Sequence, residues 1–241
     1  MTTNLDLARR ATAEAVGTAL LVLAVIGSGI AASRLSPDDV GLQLLENALA
    51  TAGALVAVIL AVGPVSGAHL NPVVTLVDRV LGALTTTETI VYWTAQIAGG
   101  ALGAVVANLM FDLPALQLAT HARSSGGLWL GEVVATFGLL LVIFGVVRSG
   151  RAVLAPFAVA AYIGGAYFFT SSTSFANPAV TLARTLSDTF AGIDPGSVPA
   201  FLVCQLLGAV SAIGLVRFLY PTTLPTIDTA ASAVVVPQRH A

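Results

Sequence analysis

Long runs of apolar residues, separated by short polar stretches, dominate the chain. Six runs approach the ~20 residues that an α-helix needs to cross a bilayer; they cover 10–32, 43–63, 88–110, 128–148, 152–171 and 198–220. The first run is too long for the apolar region of a cleavable signal peptide, so we expect it to remain as a spanning helix. The pattern predicts an all-α membrane protein with six transmembrane helices.

Two shorter stretches, 64–82 and 172–190, interrupt this pattern, one in each half of the chain. They are too short, and too rich in Ser, Gly and Pro, to span a membrane. Each contains the phrase Asn-Pro-x-Val-Thr-Leu, which begins at Asn71 and again at Asn177. Because asparagine is a favoured N-cap and proline suits the first helical position, each phrase predicts the start of a short helix. We predict two re-entrant half-helices, which a membrane tolerates where protein or a water-filled cavity surrounds them.

The two halves of the chain match beyond this phrase. Glu14 and Glu132 each stand near the start of the first span of their half, and a threonine follows each of them four residues later. A Gln-x-x-Gly sequence recurs in the third and sixth spans, at 96–99 and 205–208. Since each half has three spans, the second half enters the membrane from the opposite side. The repeats are therefore inverted, and we expect the half-helices to meet near the midplane.

Composition agrees with a membrane protein and argues against several other functions. Of the 241 residues, 56% are hydrophobic and 9% are charged, against about 25% charged in soluble proteins. The net charge is −2, and no basic patch indicates a nucleic-acid partner. The sequence has one cysteine, no metal-ligand cluster, no nucleophile–base pair and no phosphate-binding loop. We therefore predict no catalytic residue, metal site, cofactor or enzymatic activity.

Arginine placement predicts the orientation, because cytoplasmic loops of membrane proteins carry an excess of basic residues. With the N-terminus inside, seven arginines fall on the cytoplasmic side, and Arg34, Arg123 and Arg184 fall outside. We expect a multi-pass protein of the cell (inner or plasma) membrane with both termini in the cytoplasm. The tail, 221–241, is polar with interspersed prolines and is predicted to be disordered.

The doubled phrase, the six spans, the paired glutamates and the preceding Ser-Gly-Ala-His at 66–69 resemble the major intrinsic proteins, the aquaporins and aquaglyceroporins. The resemblance implies an aquaporin-like channel domain over 1–220, with inverted repeats at about 8–110 and 128–220. It also implies a passive channel for water and small neutral solutes that forms a homotetramer in the lipid bilayer. The first motif has valine where the family usually has alanine, so the pore motifs are Asn71, Pro72, Val73, Asn177, Pro178 and Ala179.

The resemblance assigns roles to several of these residues. The two asparagines line the pore centre, where their amides are expected to donate hydrogen bonds to a passing oxygen. The half-helix N-termini concentrate about half a unit of positive charge each, which repels cations and protons. Glu14 and Glu132 are expected to accept hydrogen bonds from the re-entrant loops, and a proton relay is the less favoured role. His69 is expected to line the cytoplasmic half of the pore or only to bond nearby backbone; gating by its titration is less favoured.

One position departs from the family. The residue after the second Asn-Pro-Ala is usually an arginine, part of the narrow filter near the extracellular mouth, and here it is Val180. Counting without gaps from the motifs puts the other filter positions at Thr51, Gly165 and Ser174. All four are small or medium and uncharged. We therefore predict a wide, uncharged filter that admits solutes bulkier than water, such as glycerol, urea or undissociated metalloid hydroxides.

A bacterial subgroup of the family in which valine replaces this arginine resembles the chain and is associated with arsenic compounds. That resemblance implies arsenite or organoarsenicals as candidate solutes. The residues by themselves predict only the wide, uncharged filter.

Two alternatives stay open at this point. Arg184 follows Val180 by one helical turn on the same face, so it either supplies the missing charge, in a water-selective channel, or turns away. We favour the second interpretation, in which it snorkels to the headgroups or caps the half-helix. The other alternative is a secondary transporter, because broken helices in inverted repeats also build carrier sites.

Overall fold

The computed structural model describes residues 4–221, which form eight α-helices joined by short loops. The helices are α1 (Asn4–Leu35), α2 (Val40–Ser66), α3 (Pro72–Leu81), α4 (Thr86–Met110), α5 (Gly126–Arg148), α6 (Ala155–Phe169), α7 (Pro178–Ala183) and α8 (Val198–Leu219). Single 3-10 turns precede α6 (Ala152–Leu154), follow α7 (Arg184–Leu186) and precede α8 (Pro195–Ser197). The predicted disordered tail lies outside the described residues, apart from position 221.

Six of these helices are long and apolar enough to cross a membrane: α1, α2, α4, α5, and α6 and α8 with their preceding turns. This confirms the predicted all-α membrane fold. The largest difference from the sequence prediction is at α1, which is already helical at Asn4, the first described residue, and not only from near residue 10. Its polar first turns have partners, because Arg9 lies 3.7 Å from Asp6 and Arg10 lies 2.7 Å from Glu88 of α4.

The two remaining helices, α3 and α7, begin at the prolines of the repeated phrase. The side-chain oxygen of Asn71 accepts a hydrogen bond from the Val73 amide, and that of Asn177 accepts one from the Ala179 amide, both at 3.0 Å. Each asparagine is thus an N-cap. The proline after it costs nothing, because the first helical N–H has no partner within the helix.

Small residues let the spanning helices of each half approach closely. A methyl group at Gly99 or Gly103 of α4 would overlap the backbone of Ala15 or Ala19 in α1. Gly208 of α8 makes the corresponding close contact with the backbone of α5. Close backbone packing around small residues is a common means of helix association in membranes. It fixes α1 against α4 and α5 against α8, and both α3 and α7 contact α4 and α8.

Candidate functional site

The N-termini of α3 and α7 face each other at the centre of the molecule. The Asn71 amide donates a hydrogen bond to the Ala176 carbonyl at 2.8 Å, and the Asn177 amide donates one to the Leu70 carbonyl at 2.7 Å. Both asparagines also line a central cavity. Because an amide nitrogen carries two hydrogens, each asparagine has one more to offer a molecule in that cavity. The asparagines thus join the half-helices as well as facing the cavity.

The loops that precede α3 and α7 adopt the same unusual backbone conformation. Three residues of each loop have φ in the left-handed region: Gly67, Ala68, Leu70, Thr173, Ser174 and Ala176. Five of the six are not glycine, and such residues cost about 1–3 kcal/mol each unless their surroundings hold them. A fixed set of hydrogen bonds must therefore stabilise each loop.

Glu14 supplies those bonds in the first half. Its Oε1 accepts hydrogen bonds from the Ser66 hydroxyl at 2.6 Å and the His69 amide at 2.9 Å. Its Oε2 accepts from the Leu70 amide and the Gln96 side chain, both at 2.7 Å. Glu14 is completely buried. Four donors occupy the carboxylate, which makes it an anchor for the loop before α3.

Glu132 has the corresponding position in the second half. Its oxygens accept from the amides of Phe175 at 2.9 Å and Ala176 at 3.0 Å, and from the Gln205 side chain at 2.7 Å. It is completely buried as well. Donors therefore engage both oxygens of each glutamate, an arrangement that suits an anchor better than a proton relay.

The central cavity has a volume of about 220 Å³ and two chemically different walls. A water molecule needs only about 10–15 Å³ of such space, so several small molecules fit in sequence. One wall comes from α2, α5 and α6 and is apolar: Leu55, Ile59, Leu139, Ile143, Val159 and Ile163. The other wall carries polar groups of the loops and half-helices: His69, Asn71, Ser174, Asn177 and Arg184.

Three of the four predicted filter positions lie on this cavity, and one does not. Thr51, Ser174 and Val180 line it. Gly165 lies instead on the exposed face of α6 and is absent from the cavity wall. The error arises because the position in α6 was found by counting without gaps. A miscount of two residues moves the assigned position by about 200° around the helix, to its opposite face.

Tyr167 takes the place that the count gave to Gly165. Its hydroxyl lies 3.1 Å from the Thr51 hydroxyl, and the residue is buried at the cavity wall. Val159 and Ile163 line the cavity from the same face of α6. The spacing of four residues between these three positions is the sequence signal that could have found Tyr167.

Arg184 is the C-cap residue of α7, as one of the two favoured interpretations expected, but its side chain does not snorkel to the headgroups. The residue is 3% exposed and lines the cavity, so it does not reach the headgroups. Its guanidinium carbon lies 3.4 Å from the centre of the Phe175 ring, and its Nε donates to the Ala191 carbonyl. The ring and this carbonyl hold the charge inside the protein. The predicted uncharged filter is therefore corrected: a cation lies one turn beyond Val180.

A second guanidinium lies nearby that the sequence did not indicate. Arg123, in the loop between α4 and α5, stands 5.1 Å from the centre of the Phe175 ring and donates to the Gly192 carbonyl at 2.9 Å. Burial lowers the pKa of Arg123 to about 10, so it stays charged at neutral pH. Among residues 4–221, no carboxylate lies within 4 Å of Arg123 or Arg184. This end of the cavity is electropositive and opposes cations.

Comparison with known proteins decides the family. The sequence pattern described as "Major intrinsic protein" matches residues 1–174 and again residues 157–240. The chain belongs to the major intrinsic protein family. Members of the family are membrane channels, so the chain is a multi-pass channel protein and not an enzyme.

Individual relatives agree with this assignment. Aquaglyceroporin AqpS of Rhizobium meliloti (strain 1021) is 49% identical over 222 residues, which are 92% of this chain and 94% of that protein. Probable aquaporin AqpM of Archaeoglobus fulgidus is 32% identical over 242 residues, 90% of this chain and 98% of that protein. The X-ray structure of the aquaglyceroporin from Plasmodium falciparum superposes with a TM-score of 0.69 at 22% identity. It covers 92% of this chain and 99% of that chain, and it shows that the fold is shared.

Proposed function

We propose that this major intrinsic protein conducts water and small neutral solutes such as glycerol and urea. The observation that carries the proposal is the two-sided cavity between the half-helix N-termini, apolar on one wall and polar on the other. A polyol or an amide can keep its oxygens on the polar wall while its carbon atoms face the apolar wall. The relative named an aquaglyceroporin, with nearly half of its residues identical, supports the same solute class.

The filter is proposed to consist of Thr51, Tyr167, Ser174, Val180 and Arg184. The Arg184 guanidinium offers hydrogen-bond donors and opposes cations, while Val180 gives a carbon-bearing solute an apolar contact. Undissociated metalloid hydroxides, arsenite among them, share the neutral charge and the hydroxyl groups of glycerol, and we place them in the same class. The second candidate is a water-selective channel, which the buried guanidinium at the cavity wall favours.

We further propose that the chain lies in the cell membrane with both termini in the cytoplasm and assembles as a homotetramer. Arginine placement supports the orientation, because seven of the ten arginines then lie on the cytoplasmic side. Two of the three assigned to the outside, Arg123 and Arg184, are buried around the Phe175 ring and are not free charges of an outer loop. The described part of one chain lines a complete cavity, so each protomer is expected to form its own pore.

The purified protein in proteoliposomes is expected to conduct water, glycerol and urea in stopped-flow light scattering. Because a passive pore has no transport cycle, flux should rise linearly with the solute gradient and should not depend on Na⁺ or on a proton gradient. Saturable or ion-coupled uptake would show a carrier instead. Water flux without glycerol or urea flux would support the water-selective candidate.

Arg184→Gln is expected to raise the proton and K⁺ leak several-fold over wild type, because it removes the buried cation that opposes positive ions. Arg184→Lys keeps a charge at the same place and serves as the matched control, with a leak close to that of wild type. The measurement is the decay of an imposed pH or K⁺ gradient, read with a dye inside the liposomes. An equal leak in both variants would show that the barrier lies elsewhere.

A further inference from the structure

A buried acid–base contact distinguishes the first half of the protein from the second. The spacing that relates the two Asn-Pro phrases also relates Asp78 to Arg184 and His69 to Phe175. In the second half, Arg184 packs on the Phe175 ring at 3.4 Å. In the first half, Asp78 Oδ2 lies 3.4 Å from His69 Nε2. Equivalent positions thus carry opposite charges, and each charge packs against the equivalent ring.

Asp78 is an unusual carboxylate for a half-helix inside a membrane. It is completely buried, and neither of its oxygens accepts a hydrogen bond from any residue between 4 and 221. An isolated buried carboxylate is costly to keep charged. His69 Nε2 is the polar atom that faces it at ion-pair distance. The free-energy cost of burying the Asp78 carboxylate is lower if it shares a proton with His69.

The hydrogen bonds around Thr75 determine which histidine nitrogen carries a proton. The Thr75 hydroxyl donates its one hydrogen to the Asn71 carbonyl at 3.1 Å and accepts from the Gln96 side chain at 3.0 Å. With the hydroxyl hydrogen on the Asn71 carbonyl, we assign the donor role at the 3.1 Å contact with this hydroxyl to His69 Nδ1. A neutral His69 therefore presents the bare lone pair of Nε2 to Asp78.

One proton must occupy the contact between Nε2 and Oδ2, because a bare lone pair facing a carboxylate is repulsive. With that proton on either atom, the pair has no net charge: a histidine cation with an aspartate anion, or two neutral groups. The second half has the same threonine and glutamine at its loop, since Gln205 donates to Thr181 at 2.9 Å. Phe175 there has no nitrogen to share a proton.

The other charged groups around His69 have partners of their own. From α1, Glu14 accepts the His69 amide together with three further donors. Arg10 of α1 pairs with Glu88 of α4 at 2.7 Å. Tyr92 of α4 meets the His69 ring edge-on, with ring centres 5.4 Å apart. Asp78 is therefore the group positioned to set the charge of the ring.

We infer that Asp78 is a positioning residue that holds His69 in a net-neutral, proton-sharing pair. His69 is a residue of the cavity wall and its ring is fully buried just behind it, so this pair keeps that part of the wall free of net charge across the pH range in which an uncompensated histidine becomes cationic. The inference rests on the proposed channel function. If the pair is neutral, the permeability of the channel should not change between about pH 5.5 and 8, whichever solute is measured.

Asp78→Asn is expected to make glycerol flux pH-dependent. Without the carboxylate, protonation of His69 at low pH leaves an uncompensated positive charge just behind the cavity wall, where it attracts solute oxygens more strongly. Flux at pH 5.5 should be at least about threefold lower than at pH 8, while wild type stays constant. In the double variant His69→Phe/Asp78→Asn the profile should be flat again, because no titrating ring remains. Phenylalanine is chosen because Phe175 stands at the equivalent position of the second half.

The controls separate this inference from the proposed function. Asp38→Asn removes an exposed carboxylate that does not line the cavity and should leave the flat profile of wild type. Burial and the neighbouring Arg123 and Arg184 lower the pKa of the His121 imidazole, and His121 is present in every variant compared, so it cannot produce a difference between them. A pH-dependent wild type, or a flat profile in Asp78→Asn, would overturn the inference. Wild type that conducts water but no glycerol would overturn the proposed solute class, and the same pH profile would then be read from water flux.

A stability comparison decides the matter if Asp78→Asn folds poorly. His69→Phe alone leaves Asp78 buried without its partner, whereas the double variant removes both members of the pair. We expect the single variant to unfold at a lower temperature in detergent than the double variant. The reverse order would show that the two residues do not share a proton, and would overturn the inference.

Discussion

Val180→Arg is expected to lower glycerol and urea flux to less than a tenth of wild type, equivalent to a barrier higher by at least about 1.4 kcal/mol. Val180 is buried at the cavity wall, one turn before Arg184. An arginine there would place a second long side chain in the same cross-section. It would also add a third guanidinium to a region that already holds two without a carboxylate within 4 Å among residues 4–221. Stopped-flow measurement of both solutes tests this directly.

Two further variants identify the cause of that loss. Val180→Thr exchanges one methyl group for a hydroxyl at nearly the same size, and its flux should stay within about twofold of wild type because neither bulk nor charge is added. The exchange variant Val180→Arg/Arg184→Val moves the charge by one turn without increasing its number. It should recover part of the flux if repulsion between guanidinium groups contributes. Unchanged glycerol flux in Val180→Arg would place the narrowest point of the pore elsewhere.

The elements of the fold could be predicted from local sequence because local chemistry determines them. Apolar runs of spanning length become spanning helices, and the Asn-Pro phrase defines the first turn of α3 and of α7 through an N-cap and a permitted proline. The recurrence of that phrase also indicated that the half-helices meet, and their asparagines do bond across the junction.

The side chains that face the cavity were harder to predict, because their positions depend on helix rotation and on distant partners. A displacement of two positions in α6 exchanged Gly165 for Tyr167. Arg184 turns inward because the Phe175 ring and a carbonyl from a later loop receive it. Arg123 reaches the same ring from the loop after α4. Pattern and spacing along the chain do not encode such tertiary partners.

Glu14→Gln is expected to destabilise the folded protein by about 2–5 kcal/mol, because buried donors lose their acceptor. The amide keeps the size of the side chain and one acceptor oxygen. Its NH₂ group would face two of the four groups that now donate to the carboxylate, in either orientation. The loop that Glu14 holds contains Ala68 and Leu70 in the left-handed region. Without the anchor, the conformational cost of these two residues is no longer offset in the folded state. The thermal unfolding temperature in detergent should fall by roughly 5–15 °C.

The same substitution at two other glutamates provides a comparison for the loss of stability in Glu14→Gln. Glu132→Gln should have a comparable effect, because the amides of Phe175 and Ala176 and the side chains of Gln205 and Ser172 bond that carboxylate. Glu46→Gln is the matched control, since Glu46 is only partly buried and accepts a single hydrogen bond, from Ser36 at 2.9 Å. The unfolding temperature should therefore be highest for Glu46→Gln and clearly lower for both Glu132→Gln and Glu14→Gln. If Glu14→Gln were as stable as Glu46→Gln, the loop before α3 would not depend on its carboxylate, and the left-handed residues there would need another source of stability.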